Sequence, residues 1–211
     1  VAQDLELKTC DFHLHNPTEN SLSCFSSLKR LFYEHVPDHL KRINGLFIAR
    51  NFLKAISHLL DSLEELTVLE HRHFTSRSEA FKFSESFTKL HTLTITSYLL
   101  VGHEHRPYRG ITRNEPAEEA RDFRTLIGAL PKSLKNLRPL YCAETELSCL
   151  RELLLRREEE VPNLEQINFS FPFLVDKNKG PAEYMGYDED EAKGLIADCK
   201  AAGIELRIDF E

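Results

Sequence analysis

The sequence predicts an α/β solenoid, a curved parallel sheet with helices on its convex side, and three observations predict it. A register of the form φ-x-x-L-x-x-L-x-φ recurs along the chain. Between its occurrences the apolar residues change to a helical period. Proline stands where those helices must stop before the next strand. A strand with one buried face alternates apolar and polar residues, and a helix packed on a core shows its apolar residues at i, i+3, i+4 and i+7.

The elements follow in order. Leu5-Glu-Leu7-Lys-Thr-Cys10-Asp-Phe12 reads as a first half-repeat, with Cys10 at the position where the chain turns away from the strand. Phe25-Ser-Ser-Leu28-Lys-Arg-Leu31-Phe-Tyr33 is the first full match. Phe52, Ala55, Ile56, Leu59 and Leu60 then form a helical stripe that leads into Leu60-Asp-Ser-Leu63-Glu-Glu-Leu66-Thr-Val68. Phe87-Thr-Lys-Leu90-His-Thr-Leu93-Thr-Ile95 is the next strand. A helix with Ala120, Phe123, Ile127 and Leu130 on one face stops at Pro131, and Pro131-Lys-Ser-Leu134-Lys-Asn-Leu137-Arg-Pro139 follows, Pro139 being a poor fit to the last apolar position. Leu147, Leu150 and Leu154 mark a further helix, ended by Val161-Pro162, before Val161-Pro-Asn-Leu164-Glu-Gln-Ile167-Asn-Phe169. The last helix carries Ala192, Leu195, Ile196 and Cys199, with Asp188 to Glu191 placing negative charge at its N-terminus, where the dipole favours it. Ile204-Glu-Leu206-Arg-Ile208 closes the pattern.

Anchors at 5, 31, 66, 93, 137, 167 and 204 are separated by 26, 35, 27, 44, 30 and 37 residues, so the repeats are irregular, of about 26–44 residues. Alternation of helix and strand implies parallel strands, and stacked repeats enlarge one core without a second domain. The expectation is a single domain over 1–211 with about seven strand rungs and two long loops, 100–118 and 173–188.

Composition narrows the function classes. A net charge of −7 with a pI near 5.8 argues against a general nucleic-acid surface or an anionic-membrane surface, which need clustered Lys and Arg. Arg151, Arg156 and Arg157 run directly into Glu158, Glu159 and Glu160, which reads as a solvated helix face. No apolar run reaches the ~20 residues that span a bilayer, and no signal peptide opens the chain. Five cysteines without regular C-x-x-C spacing fit reduced thiols of a cytoplasmic or nuclear protein better than a disulfide scaffold. The start at Val1 fits either a processed terminus or part of a longer protein.

The register with unequal repeats, the Leu-Pro-Lys-Ser-Leu-Lys-Asn-Leu and Val-Pro-Asn-Leu-Glu-Gln-Ile junctions, and the closing Cys199-Lys-Ala-Ala-Gly-Ile-Glu-Leu resemble fungal F-box/leucine-rich-repeat proteins over nearly the whole chain. The resemblance implies a leucine-rich-repeat solenoid that holds a protein target, while a separate F-box joins a cullin-type ubiquitin ligase. No F-box is recognisable in these residues, and a cullin-ligase adaptor is an expected partner only if that module lies outside them.

In a solenoid, strand residues flanking each anchor point out of the concave sheet. The partner-binding ladder is therefore expected at Glu6, Phe32, Thr67, Thr94, Arg138, Asn168 and Glu205. A second column is expected at Lys8, Glu34, Leu69, Thr96, Leu140, Ser170 and Arg207, where an exposed Phe32 beside Leu69 and Leu140 would anchor apolar groups. The competing reading is a sheet surface that binds nothing. The long loops offer a second binding region through His103, His105, Arg106, Tyr108 and Arg109, and through Tyr184 and Tyr187.

One constellation points to chemistry. His-x-His occurs at His13/His15, His71/His73 and His103/His105, and imidazoles at i and i+2 of an extended segment share a face, as Zn ligands can. Ten histidines make chance pairs common, and exposed loop histidines are the more frequent meaning. No nucleophile elbow, phosphate loop, dinucleotide fingerprint, H-E-x-x-H or EF-hand loop is present, and Cys142 is the one thiol to inspect as a nucleophile. The expectation is thus a non-enzymatic protein-binding scaffold with no cofactor. The alternatives are a metal-binding protein or metal-dependent hydrolase built on the His-x-His pairs, and a structural repeat domain of a larger protein.

Overall fold

The computed structural model of the chain describes residues 3–8, 25–35, 49–70, 81, 83, 87–101, 130–140, 150–171 and 189–210. Among the described residues there are seven strands: β1 (Asp4–Lys8), β2 (Arg30–His35), β3 (Glu65–Glu70), β4 (Thr92–Thr96), β5 (Asn136–Leu140), β6 (Gln166–Phe171) and β7 (Glu205–Phe210). They form one sheet in the order β1-β2-β3-β4-β5-β6-β7, every neighbouring pair parallel. Helices α1 (Ala49–Ala55), α2 (Ser97–Val101), α3 (Leu150–Glu160) and α4 (Glu189–Ala201) lie between strands. The fold is α/β, with strands in the sheet in the order they occur in the sequence.

The repeat register becomes columns across this sheet. Leu5, Leu31, Leu66, Leu93, Leu137, Ile167 and Leu206 stand side by side. Two residues on, Tyr33, Val68, Ile95 and Phe169 fill a second buried column. Each such side chain contributes about 1.5–3 kcal/mol when fully removed from water, so the two columns account for much of the driving force.

The leucine three residues before each anchor has its own task. Leu28, Leu63, Leu90, Leu134 and Leu164 are all fully buried, at the turn entering each strand. Those turns are held by backbone bonds such as Leu134 N–H to the Pro131 carbonyl at 3.0 Å and Leu164 N–H to the Val161 carbonyl at 3.0 Å. The rungs are then tied by shared acceptors. The carbonyl of Lys29 takes the N–H groups of Glu64 and Glu65, that of Glu64 takes His91 and Thr92, that of His91 takes Lys135 and Asn136, and that of Lys135 takes Glu165 and Gln166. A backbone that must satisfy every buried polar group repeats the same solution at each step. Side chains add to it where the sequence allows: the Ser133 hydroxyl contacts the Phe87 and Leu90 carbonyls, both at 2.8 Å, and the Asn163 amide donates to the Lys132 carbonyl at 2.9 Å.

The last rung corrects the expected register. Ile167 pairs with Leu206, so the seventh anchor is Leu206, two residues beyond Ile204. The cause is a different entry into the strand. α4 ends in a Schellman cap, with Ile204 N–H bonded to the Cys199 carbonyl at 2.8 Å, Gly203 N–H to the Lys200 carbonyl at 3.0 Å, and Gly203 at φ 71°. Ile204 is the buried residue that follows such a cap, packing where Cys199 is also buried.

Three further expectations are refined. α1 continues through a 3-10 turn, Ser57–Leu59, and buries Phe52, Ala55, Ile56 and Leu59 as its stripe predicts. In α3 the buried residues are Leu150 and Leu153, while Leu154 is half-buried and Leu155 is 81% exposed, so the inward face is turned by one position. In α4, Leu195 and Cys199 are buried, but Ile196 faces outward. The first long loop also does not begin at Leu100, because α2 runs from Ser97 to Val101 and buries Leu99 and Leu100. The remainder of 102–118, the segment 173–188, and the expected helix at 120–129 lie outside the described residues.

An aromatic chain extends the core between the second and fourth rungs. Ring centroids of Tyr33 and Phe52 are 4.9 Å apart, those of Phe52 and Phe81 5.9 Å, those of Phe81 and Phe83 5.4 Å, and those of Phe83 and Phe87 5.9 Å. Such tilted and edge-on pairs add about 0.5–1.5 kcal/mol each beyond area burial. Phe81 is anchored through its N–H, which donates to the Leu99 carbonyl at 2.7 Å.

Candidate functional site

Strand alternation that sends the anchors inward sends the intervening residues to the opposite face of the sheet, and these build the candidate surface. One column is Asp4, Arg30, Glu65, Thr92, Asn136, Gln166 and Glu205. The next is Glu6, Phe32, Thr67, Thr94, Arg138, Asn168 and Arg207. Six of the seven expected ladder residues stand in this second column. Glu205 does not, because the shift at the last rung moves it beside Gln166 and brings Arg207 next to Asn168.

The third column departs further from expectation. Glu34 and Leu69 are half-buried on this face, but Thr96, Leu140 and Ser170 are buried, at 0%, 7% and 1% exposure. Leu140 is therefore not available beside Phe32 and Leu69 as an apolar anchor. Strand parity alone assigns a residue to a face; it does not say whether that part of the face is covered. Lys8 occupies the register position beside Glu34, and its side chain lies outside the described residues. The remaining exposed surface is the first two columns across all seven strands, widened by Glu34 and Leu69 on β2 and β3.

Ion pairs order the upstream column. Arg30 grips Asp4 through two bonds, Nε to Oδ1 at 2.6 Å and a terminal nitrogen to Oδ2 at 2.7 Å. The hydrogen bond from Arg30 holds the Asp4 carboxyl below its ordinary range. Asn136 Nδ2 donates to Thr92 Oγ1 at 3.3 Å, and Arg207 Nε to Glu205 Oε1 at 2.9 Å. Along the rim before the strands, Lys29 Nζ lies 2.8 Å from Glu64 Oε1 and Lys135 Nζ lies 3.0 Å from Glu165 Oε1, with His91 Nε2 3.9 Å from the second Glu64 oxygen. The Lys29 bond lowers the Glu64 carboxyl. These pairs are exposed and contribute little to stability, but they fix side-chain positions on a surface of mixed sign.

On the opposite, inward face the anchor parity ends in polar residues on three successive rungs. His35, Glu70 and Ser97 sit four residues after the anchors Leu31, Leu66 and Leu93, and all three are buried. His35 Nδ1 is 3.9 Å from Glu70 Oε1, and Glu70 N–H donates to Thr96 Oγ1 at 3.0 Å. Sequence reasoning missed this row because it stopped the inward pattern at the second apolar position. Continuing the count by two would have found it.

The loop residues His103, His105, Arg106, Tyr108, Arg109, Tyr184 and Tyr187, the three His-x-His pairs, and Cys10 and Cys142 lie outside the described residues. Among the described residues no group of three or more His, Cys, Asp or Glu is placed to hold a metal ion, and no helix is long and apolar enough to cross a membrane. The Arg156–Glu160 ion pair occupies the charged end of α3, and Arg157 turns inward to donate to the Leu164 carbonyl at 3.3 and 3.2 Å. Comparison of the chain with protein-family models, curated proteins and solved structures finds no match to any of them.

Proposed function

We propose that this chain is a leucine-rich-repeat module that binds another protein across the outward face of its sheet. The observation that carries this reading is the ordered, all-parallel series of seven strands, whose first two outward columns run from Asp4 to Glu205 and from Glu6 to Arg207. A face about 4.8 Å wide per strand step gives a platform on the order of 30 Å across, long enough to seat an extended segment or a helix of a partner. Its side chains offer one half-buried aromatic group, Phe32, among carboxylates, hydroxyls, amides and guanidinium groups, a mixture suited to recognising a protein surface and not a polyanion.

Service as the target-holding part of a ubiquitin-ligase adaptor rests on the resemblance of the repeat junctions alone.

The test is capture from a native extract by the immobilised 211-residue chain, run beside a Thr67→Arg/Thr94→Arg variant and a Lys193→Glu control on the exposed side of α4. Proteins retained by the wild type and the control but lost by the double variant support the face as the binding surface. Identical capture by all three sinks it.

A further inference from the structure

Charge is unevenly spread over the outward face. On β1 to β3 it carries the carboxylates of Asp4, Glu6, Glu34 and Glu65. On β4 to β6, among the described residues, the outward strand positions hold hydroxyl, amide and apolar groups and one charged side chain, Arg138. Arg138 stands beside Thr94 in the register and is half-buried, with its Nε shielded from water, as is Oδ1 of Asn168 in the same column on β6. A guanidinium sunk among neutral hydrogen-bonding groups attracts an anion more strongly than one at an open rim, because less water screens it. Its fork of N–H donors matches a carboxylate.

Phe32 marks the other end of this column. It is half-buried, three strand steps from Arg138, with the half-buried Leu69 on the neighbouring strand β3. Three steps of a sheet are about 14 Å. In an extended segment laid across the strands, residues i and i+4 point the same way and stand about 13 Å apart. In a helix the residue nine further on is about as far along the axis but points away from the surface. The carboxylates of β1 to β3 disfavour an acidic group at the Phe32 end, so the two ends of the column ask for different side chains.

We propose that the outward face receives an extended segment of a partner protein, which sets an apolar side chain on Phe32 and Leu69 and, four residues away, an Asp or Glu carboxylate on Arg138. The inference rests on the outward face being the binding surface and adds the chemistry of what it binds. Aromatic and Arg side chains at the middle of a contact are the kind that carry its energy.

The test is selection from a random dodecapeptide library displayed on phage, with the immobilised chain as bait and the Thr67→Arg/Thr94→Arg variant as counter-bait. Peptides enriched on the wild type over that variant are expected to share an apolar residue with Asp or Glu four positions away. Titrated by fluorescence anisotropy, such a peptide should lose about 10–100-fold in affinity when its acid is changed to the amide. The same change should cost nearly nothing on Arg138→Gln, and Arg138→Glu should select Lys or Arg at that position instead. Circular dichroism shows whether each variant folds, and the acid-to-amide comparison on the wild type stands without them. Face-dependent enrichment with no acid at the fourth position overturns this inference and leaves the face reading in place, as does an acid-to-amide change that costs nothing on the wild type or costs Arg138→Gln just as much. No enrichment over the Thr67→Arg/Thr94→Arg variant removes both.

Discussion

His35 and Glu70 face each other on adjacent parallel strands, Nδ1 to Oε1 at 3.9 Å, with 4% and 3% of their surfaces exposed. An ionisable pair inside a leucine core is costly to desolvate, and removing one member takes from the other, still buried, the neighbour across the strand. Glu70→Leu or His35→Leu alone is expected to destabilise the fold by about 3–5 kcal/mol. His35→Leu/Glu70→Leu together should cost much less than the two singles added. Urea unfolding of the four chains provides the cycle, and strict additivity would show that the two side chains do not interact.

Gly203 closes α4 at φ 71°, a conformation that L side chains adopt at a cost. Nothing lies within 4 Å of where a Cβ would stand, so the expected penalty of Gly203→Ala is conformational and not steric. It should be about 1 kcal/mol, seen as a lower midpoint with an unchanged denaturant slope. A neutral result would mean that the cap relaxes into another geometry.

Asp4 titrates below the ordinary carboxylate range because Arg30 bonds its charged form. A carboxyl depressed in the folded state contributes stability that is present above its unfolded value near pH 3.9 and is lost as pH falls through the folded value. Asp4 is exposed, so the effect belongs to the titration curve more than to overall stability. Carbon-detected NMR of the side-chain carboxyl should show the Asp4 midpoint rise toward the ordinary range in Arg30→Leu. An unmoved midpoint would remove Arg30 as the cause.

Cys199 is fully buried, and burial pushes its thiol up to about 11. The thiolate is the reactive form, so Cys199 should resist iodoacetamide at neutral pH in the folded chain and react once urea unfolds it. Peptide mapping after timed alkylation separates it from the other four cysteines. Rapid labelling in the native state would place that face of α4 in contact with solvent.

Much of the fold is legible in the sequence because it depends on local periods. Leu28, Leu31 and Tyr33, with their counterparts in four later repeats, mark turn and strand together, since an alternating apolar pattern can bury only one face and the preceding leucine must plug the turn. The outward columns follow by parity, which is why spacing alone puts Phe32, Thr67, Thr94, Arg138 and Asn168 in one column of the sheet. The same reasoning misplaces Glu205, because nothing local distinguishes an Ile204 that packs behind a helix cap from one that opens a strand; the pairing of Leu206 with Ile167 decides it.

What the sequence by itself determined, then, is the set of strands, their parallel order and the polarity of each face, all consequences of which side chains can leave water within one short segment. Tertiary structure alone decided the rest. It covered Thr96, Leu140 and Ser170 on a face that parity assigns to the outside, it set His35 across from Glu70, and it joined Tyr33, Phe52, Phe81 and Phe83 ring to ring in one chain. Each of these depends on groups distant in the chain meeting in space, and burial at such a point is set by the neighbour that arrives there, which no period along a single segment encodes.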